Sequence, residues 1–282
     1  MLRKPLDKQF RLMLSAVAIL VVTAGYTLLS YRQHVVNSKD VTIPSWRQMS
    51  EGLLSTVTVE PEVWARFERH PNTERPRPRL LLDSVMTGGR LFRGLALSVS
   101  LALILGVLMG CFPLCESCML PVLAFLAKVP ATAAMPVFFA LLTDFSFEWI
   151  FAAVVVFGVM PAMAQSIYIA AREVSDEYLY KAYTLGASDY EIISHVIFRS
   201  ILPHVINAIR LAIGPAIVYL IAAEMINSQV GFGYRIRYEA RTGMTVVFPY
   251  LMILALFGFG MDYGLRLLLR LVCPWYVPEQ SK

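Results

Sequence analysis

The stretch Arg172-Glu173-Val174-Ser175-Asp176-Glu177-Tyr178-Leu179-Tyr180-Lys181-Ala182-Tyr183-Thr184-Leu185-Gly186-Ala187-Ser188-Asp189-Tyr190-Glu191, running on to Leu202-Pro203, decides how the chain is read. It is polar, carries charges of both signs, and lies between two long apolar segments. It also carries its own helix punctuation. Ser175 is a capping hydroxyl, and Asp176 and Glu177 place carboxylates on the positive end of a helix dipole. Gly186 stops that helix, because glycine takes the left-handed terminal conformation at little cost. Ser188 and Glu191 form a capping box that starts a second helix. Ile192, Ile193, Val196, Ile197 and Ile201 then fall on one stripe, with Asp189, Glu191, His195 and Arg199 elsewhere. The pattern predicts a helix, a glycine turn and an amphipathic helix lying on a membrane surface. On these residues alone, a short helical hairpin of the kind found in any cytoplasmic loop of a membrane protein is an equal alternative.

The surroundings point to a membrane. Hydrophobic residues make up 57% of the 282 residues and charged residues only 16%, less charge than a soluble domain carries. The apolar residues group into runs of about 20, the length a helix needs to cross the bilayer core. A large soluble helical protein is disfavoured on that ground. The net charge of +5 does not indicate nucleic acid, because the arginines are dispersed and not set on one face. Positive residues near membranes serve topology and lipid headgroups.

The expected organisation is an all-α membrane protein with about six transmembrane helices. Residues 1–31 are a basic head followed by a first span at 12–31, too long for a signal-peptide core and without a small-x-small cleavage site. Residues 32–93 are a polar insert on the outer side. Within it, Ile43-Pro44-Ser45-Trp46-Arg47-Gln48-Met49 is a helix start, 70–79 is a Pro-rich extended linker, and 80–93 is an amphipathic helix leading into the next span. Residues 94–272 form the core, with spans at 94–112, 119–142, 147–170, 205–226 and 246–272 and with 172–203 between the fourth and fifth. Residues 273–282 are a short tail. Gly106 and Gly110 form a GxxxG pair that lets a neighbouring helix approach. Pro130, Pro136 and Pro161 free backbone carbonyls inside two adjacent spans, which suggests helices bent around a cavity. With the amino terminus inside, the inner segments hold Arg3, Lys4, Lys8, Arg11, Arg172, Lys181, Arg199, Arg266, Arg270 and Lys282, the short outer loops hold only Arg235, Arg237 and Arg241, and the Arg-rich 32–93 insert lies outside as a long loop less subject to the positive-inside bias. Both termini are then cytoplasmic.

Ionisable residues at membrane depth are costly and mark function. Arg210 and Glu224 lie in the fifth span, about 21 Å apart along a helix, too far to pair. Glu224 is a candidate gate, pathway or binding-protein contact, or else a hydrogen-bond partner of the Gly231-Phe232-Gly233 loop. Arg210 sits near the inner interface or pairs with a neighbouring helix. Lys128 snorkels to the inner surface. If the solute is an anion, Lys128 or Arg210 instead faces the pathway. Cys111, Cys115 and Cys118 have no nearby histidine to complete a zinc site and read as small apolar filler. His34, His70, His195 and His204 belong to no catalytic pattern. No G-x-x-x-x-G-K-S/T run is present in the sequence, so the chain does not bind ATP by that route.

The 172–203 stretch resembles the cytoplasmic loop of binding-protein-dependent ABC importer permeases, whose signature is Glu-Ala-Ala, three residues, Gly, and a Pro farther on. Ala182, Gly186, Ala187 and Pro203 fall at matching positions, while Tyr180 and Lys181 stand where the family has Glu and its first Ala. Lys128-Val129-Pro130-Ala131-Thr132-Ala133-Ala134-Met135-Pro136 is similar to the Pro-x-Pro-x-x-Ala-x-x-Pro run of nitrate, taurine and alkanesulfonate permeases. Ile209-Arg210-Leu211-Ala212-Ile213-Gly214, Ala222-Ala223-Glu224-Met225, Gly231-Phe232-Gly233-Tyr234 and Cys273-Pro274-Trp275 resemble further positions of that subgroup. The match covers about residues 80 to 276.

The resemblance implies the type I ABC importer permease fold with a cytoplasmic coupling helix. It implies a transport subunit of the bacterial inner membrane and not an enzyme. Ala182, Gly186, Ala187, Ser188, Glu191 and Pro203 then shape the contact with an ATPase, and Lys128, Pro130, Pro136, Arg210 and Glu224 are pathway or gate candidates. The implied partners are two ATPase subunits that bind ATP and Mg, a second permease copy (homodimer, or heterodimer with a chain carrying the regular loop), a periplasmic binding protein and membrane lipid, but no nucleic acid. This chain itself carries no cofactor or metal. The implied solute is a small anion or sulfonate such as nitrate, taurine or an alkanesulfonate. Two other classes remain, a membrane scaffold and a lipid-modifying membrane enzyme. The first has no need of bent helices. The second needs converging His, Asp or metal ligands, which the sequence lacks.

Overall fold

The computed structural model describes residues 8–38, 40–58, 78–144 and 146–276. Every regular element among them is helical: α1 (Lys8–Val36), α2 (Trp46–Val57), α3 (Arg79–Cys111), α4 (Pro113–Leu126), α5 (Ala131–Leu141), α6 (Phe147–Arg172), α7 (Asp176–Thr184), α8 (Asp189–Asn227), α9 (Phe232–Glu239) and α10 (Val247–Val272). Five of these are long and apolar enough to cross a membrane, and the bent pair α4–α5 is a sixth candidate. The chain divides into two compact units, Met1–Leu80 with Tyr238–Met252, and Leu81–Arg237 with Ile253–Lys282.

The smaller unit is organised around Tyr26 of α1. Its hydroxyl donates to the Pro44 carbonyl at 2.6 Å, and its ring packs against Trp46 and Phe248. Ser45 caps α2 and Gln48 returns the bond, the box expected from Ser45-Trp46-Arg47-Gln48. Most of the Pro-rich 70–79 segment lies outside the described residues. Its last residue, Arg79, already belongs to α3.

The larger unit holds the core. α3 and α6 run parallel in close contact, and glycine is the reason. A Cβ added at Gly94 would fall 2.8 Å from the Val155 Cβ, one at Gly106 2.7 Å from the Ile167 Cβ, and one at Gly110 2.5 Å from the Ala171 Cβ. Ser98 and Ala102, both fully buried, complete a stripe of small residues every fourth position from Gly94 to Gly110. The steps match, sixteen residues from 94 to 110 and sixteen from 155 to 171, so equal helical rise keeps the two chains in register. Such a stripe lets backbones approach where lipid gives no hydrophobic drive between helices. Replacing Gly106 with leucine is expected to lower stability by about 2–3 kcal/mol, because both Ile167 and the Ala164 carbonyl stand in the way. Gly260→Leu, where an added Cβ meets nothing within 4 Å, is the matched control. Thermal unfolding in detergent reads both.

The parallel pairing also decides the crossing number. Since α3 and α6 point the same way, the intervening α4–α5 pair must return across the membrane. It does so as a broken span, bent by 101° over residues 127–130. Pro130 caps α5 with an extended backbone at the break. Pro136 sits inside α5 without ending it, so only one of the two expected interruptions occurs. Pro121 and Pro161 likewise lie within α4 and α6.

Two further boundaries differ from those read in the sequence. The predicted amphipathic helix 80–93 and span 94–112 are one unbroken helix of 33 residues, about 50 Å long. The predicted surface helix after Ser188 is the opening of the fifth span, continuous through a π-helical turn at Ile192–Ile197 to Asn227. Its stripe faces protein and not lipid headgroups. Ile192, Ile197 and Ile201 are buried in the core formed with α6. Pro203 sits buried within α8 and does not end it. Further along, α10 lies antiparallel to α8, with Ile206 beside Leu269, Arg210 beside Asp262 and Gly258 beside Ile217.

Candidate functional site

The α7–α8 elbow stands at the end of the bundle where α3 and α6 both finish. Gly110, Phe112 and Arg172 share with Leu179, Tyr183 and Asp189 the walls of a cavity of about 470 Å³ beneath it. Three devices fix the elbow. First, the α7 terminus is a Schellman motif: the Gly186 amide donates to the Tyr183 carbonyl at 2.9 Å and the Ala187 amide to the Ala182 carbonyl at 3.1 Å. Gly186 has φ +84°, the left-handed region. Ala182 and Ala187, one at each end of the six-residue ring, pack half-buried against the core, which explains why small apolar residues stand there. Second, the Ser188 hydroxyl and amide each reach a Glu191 oxygen at 2.8 Å, closing the predicted capping box. Third, the Tyr183 hydroxyl donates to Asp189 at 2.8 Å and ties α7 to α8. That bond to a carboxylate raises the Tyr183 phenol above its ordinary pKa.

The crest of this elbow is exposed and apolar for so polar a segment. Tyr180 is 69% exposed, Leu185 88% and Tyr190 78%, with Tyr178 and Tyr183 alongside. Lys181, at the position of the family's first Ala, pairs loosely with Glu177 at 3.8 Å and lies near the Tyr178 ring.

At the opposite end of α6 lies a buried ionic cluster. Asp83, Thr87 and Arg90 fall on one face of α3 and are at most 4% exposed. Arg90 donates through Nε and Nη2 to Glu148 at the start of α6, at 3.0 and 2.7 Å. Its Nη1 reaches Glu224 at 2.9 Å, the Ser228 hydroxyl at 3.1 Å and the Val230 carbonyl at 2.8 Å. The guanidinium also lies 4.5 Å from the centre of the Phe151 ring. Glu224, near the end of α8 and fully buried, accepts in addition from Thr87 Oγ1 at 2.9 Å and from the Gly233 amide at 2.9 Å. Asp83 accepts from the Gly231 amide at 2.9 Å and pairs with Arg235 at 3.1 Å. Gly231 has φ +123°, and an added Cβ would meet the Glu224 carboxylate at 2.7 Å, so only glycine fits. The cluster ties α3, α6, α8 and the α8–α9 loop together, and each buried charge has an opposite partner.

The remaining sequence candidates separate. Arg210 pairs with Asp262 of α10 at 2.9 Å and with Asn207, and so joins neighbouring helices. Lys128 is exposed at the α4–α5 break beside Pro130. Glu224 alone among them belongs to the ionic cluster, and one of its partners is the 231–233 loop. Asp83, Thr87 and Arg90 were not singled out in the sequence, because residues 80–93 read there as an insert outside the span, and neither was Glu148, at the start of the fourth span. The signal was present in the spacing of 83, 87 and 90, which sets three polar groups on one helical face.

Comparison with known proteins agrees with this geometry. Residues 99–272 match the model for the binding-protein-dependent transport system inner membrane component family. The chain is 24% identical over 278 residues to the taurine transport system permease protein TauC of Escherichia coli, covering 97% of this chain and 93% of that one. It is 27% identical over 203 residues to a probable ABC transporter permease of Brucella melitensis, covering 70% and 82%. Its fold is similar to that of a MetNI methionine ABC transporter chain solved in inward-facing conformations, with TM-score 0.57 and 15% identity over 76% of this chain and 99% of that one. An all-helical bundle with a broken third span and a capped elbow between its fourth and fifth spans, matched over most of its core, belongs to the binding-protein-dependent transport system inner membrane component family of ABC permeases.

Proposed function

We propose that this chain forms half the translocation pathway of an ATP-driven importer for a small anionic or sulfonate-like solute. Its partners in this reading are a second copy of the chain, two ATPases that bind ATP and Mg, and a periplasmic binding protein. The observation that carries it is the elbow: a hairpin fixed by the Ala182–Ala187 Schellman ring, the Ser188–Glu191 box and the Tyr183–Asp189 bond, with an exposed aromatic crest. Such a surface suits docking into a groove on a soluble partner better than contact with water. Because α8 runs unbroken from Asp189 to Asn227, a push on the elbow travels along one rigid rod toward the ionic cluster. Pro203 shapes the base of that rod. Residues 94–272 are then the pathway core and 32–93 the periplasmic segment. The elbow and both termini face the cytoplasm of a bacterium, and the ionic cluster faces outward. Relatives named for taurine, bicarbonate and aliphatic sulfonates support a small anion as the solute class.

The test is a cross-link combined with transport. Tyr180→Cys is expected to cross-link to a cysteine placed in the ATPase of the purified complex. The complex in proteoliposomes, with the binding protein supplied, should accumulate labelled taurine, nitrate or an alkanesulfonate only when ATP is present on the ATPase side. A Tyr180 that labels from the outer face of intact cells would reverse the topology and end this reading.

A further inference from the structure

The groove flanked by the α4–α5 break, α6 and α8 has a polarity that neither the elbow nor the ionic cluster explains. Its volume is about 300 Å³, and among the described residues no charged side chain lines it. Two side-chain hydroxyls do, Ser166 of α6 and Tyr219 of α8. Both are uncommitted. Ser98, Ser100, Ser117 and Ser194 each donate to the carbonyl four residues earlier in their helices. Ser166 and Tyr219 have no hydrogen-bond partner among the described residues. Pro215, on the same wall, has no amide hydrogen, so the Leu211 carbonyl loses its helical donor there.

The Tyr219 ring has a built seat. It lies directly on Gly158 of α6, where an added Cβ would overlap the ring edge and stand 3.1 Å from the Ala131 Cβ at the start of α5. Gly158 thus lets three helices and one aromatic ring meet at a point. A methyl group there has nowhere to go except by driving the ring into the groove.

We propose that Tyr219, seated on Gly158, and Ser166 determine which solutes pass. The two hydroxyls donate to the oxyanion head of a small solute, and the ring sets how long a body can follow it. Without a fixed cation, the site holds an anion by neutral hydrogen bonds alone, weakly enough to release it. This rests on the pathway reading above, with the second copy closing the open side of the groove.

The experiment uses the complete complex in proteoliposomes, with ethanesulfonate, taurine and hexanesulfonate as labelled probes. Tyr219→Ala is expected to raise hexanesulfonate uptake relative to ethanesulfonate about tenfold, the scale on which apolar pockets discriminate chain length. Gly158→Ala should lower that ratio, and Gly158→Ala with Tyr219→Ala should restore it. Tyr219→Phe keeps the ring, so it should leave the ratio unchanged while lowering uptake of all probes about fivefold, as for one lost hydrogen bond. Ser166→Ala should do the same. ATP hydrolysis stimulated by the binding protein, measured on the same proteoliposomes, reports whether each variant still assembles and couples. Ratios that stay fixed in both Tyr219→Ala and Gly158→Ala would overturn the proposal and leave the importer reading standing. Loss of stimulated hydrolysis together with uptake would assign Tyr219 to packing and equally overturn it. A wild-type complex that accumulates none of the probes would overturn the solute class and this proposal together.

Discussion

Arg90→Ala is expected to lower the thermal unfolding midpoint of the purified protein by about 10 °C, the largest effect of any single substitution considered. The side chain is 5% exposed, and its removal leaves Glu224, fully buried, without its cation. Breaking a buried pair from one side costs about 3–5 kcal/mol, because the surviving charge stays desolvated. In a chain of this size each kcal/mol moves the midpoint by about 2–4 °C. Glu148 loses a partner as well but keeps Arg93 at 2.7 Å and is partly exposed, so it adds little. The ordering of variants separates this account from simple loss of volume. Adding Glu224→Gln to Arg90→Ala should recover about half the loss, because the amide is neutral yet still accepts from Thr87 and Gly233. Glu224→Gln alone should cost about 1–2 kcal/mol, the scale of one charged hydrogen bond made neutral. Thermal unfolding in detergent, followed by tryptophan fluorescence, measures all three. An Arg90→Ala midpoint within about 2 °C of wild type, under 1 kcal/mol on the same scale, would show that water or lipid headgroups reach Glu224 and that the cluster is not a structural lock.

Gly186→Val is expected to abolish most ATP-driven transport while leaving the folded bundle nearly as stable as before. Nothing lies within 4 Å of a Cβ built at Gly186, so the site has room for a side chain. What it lacks is a tolerable backbone. At φ +84° a β-branched residue is strongly disfavoured, at about 1–2 kcal/mol for the left-handed region alone. Relieving that strain opens the Schellman ring between Ala182 and Ala187, which re-aims α7 against α8. The elbow is exposed, so the bundle loses little; the geometry of the crest with Tyr180, Leu185 and Tyr190 is lost. Gly186→Asn tolerates the left-handed conformation and should retain most activity, although it adds a larger and more polar side chain than alanine would. Uptake and ATP hydrolysis measured on the same proteoliposomes read the coupling. Equal transport by the Val and wild-type complexes would mean that the turn's shape does not matter to the partner.

Much of this protein was legible in the chain itself. Runs of apolar residues about as long as the bilayer is thick have no stable alternative to helix, because lipid cannot satisfy a free backbone amide. The elbow was equally explicit, since Ser175, Gly186, Ser188 and Glu191 act on backbone groups within three or four residues of themselves. Local chemistry of that kind is written in order along the sequence. What the sequence misplaced were properties set by partners distant in the chain. The stripe from Ile192 to Ile201 has the same period whether it meets headgroups or α6, and only packing decided for α6. Arg90 read as a charge in an insert, since the two carboxylates that bury it arrive 58 and 134 residues later. The smallness of Gly94, Gly106 and Gly110 permits a close neighbour but does not name α6 or its direction. Their contact with Val155, Ile167 and Ala171 fixed α3 and α6 as parallel, and so made the broken α4–α5 pair a full crossing. Spacing determines which residues share a face; only the tertiary structure decides what that face meets, because burial and charge pairing are energies of contact between elements and not of order along one.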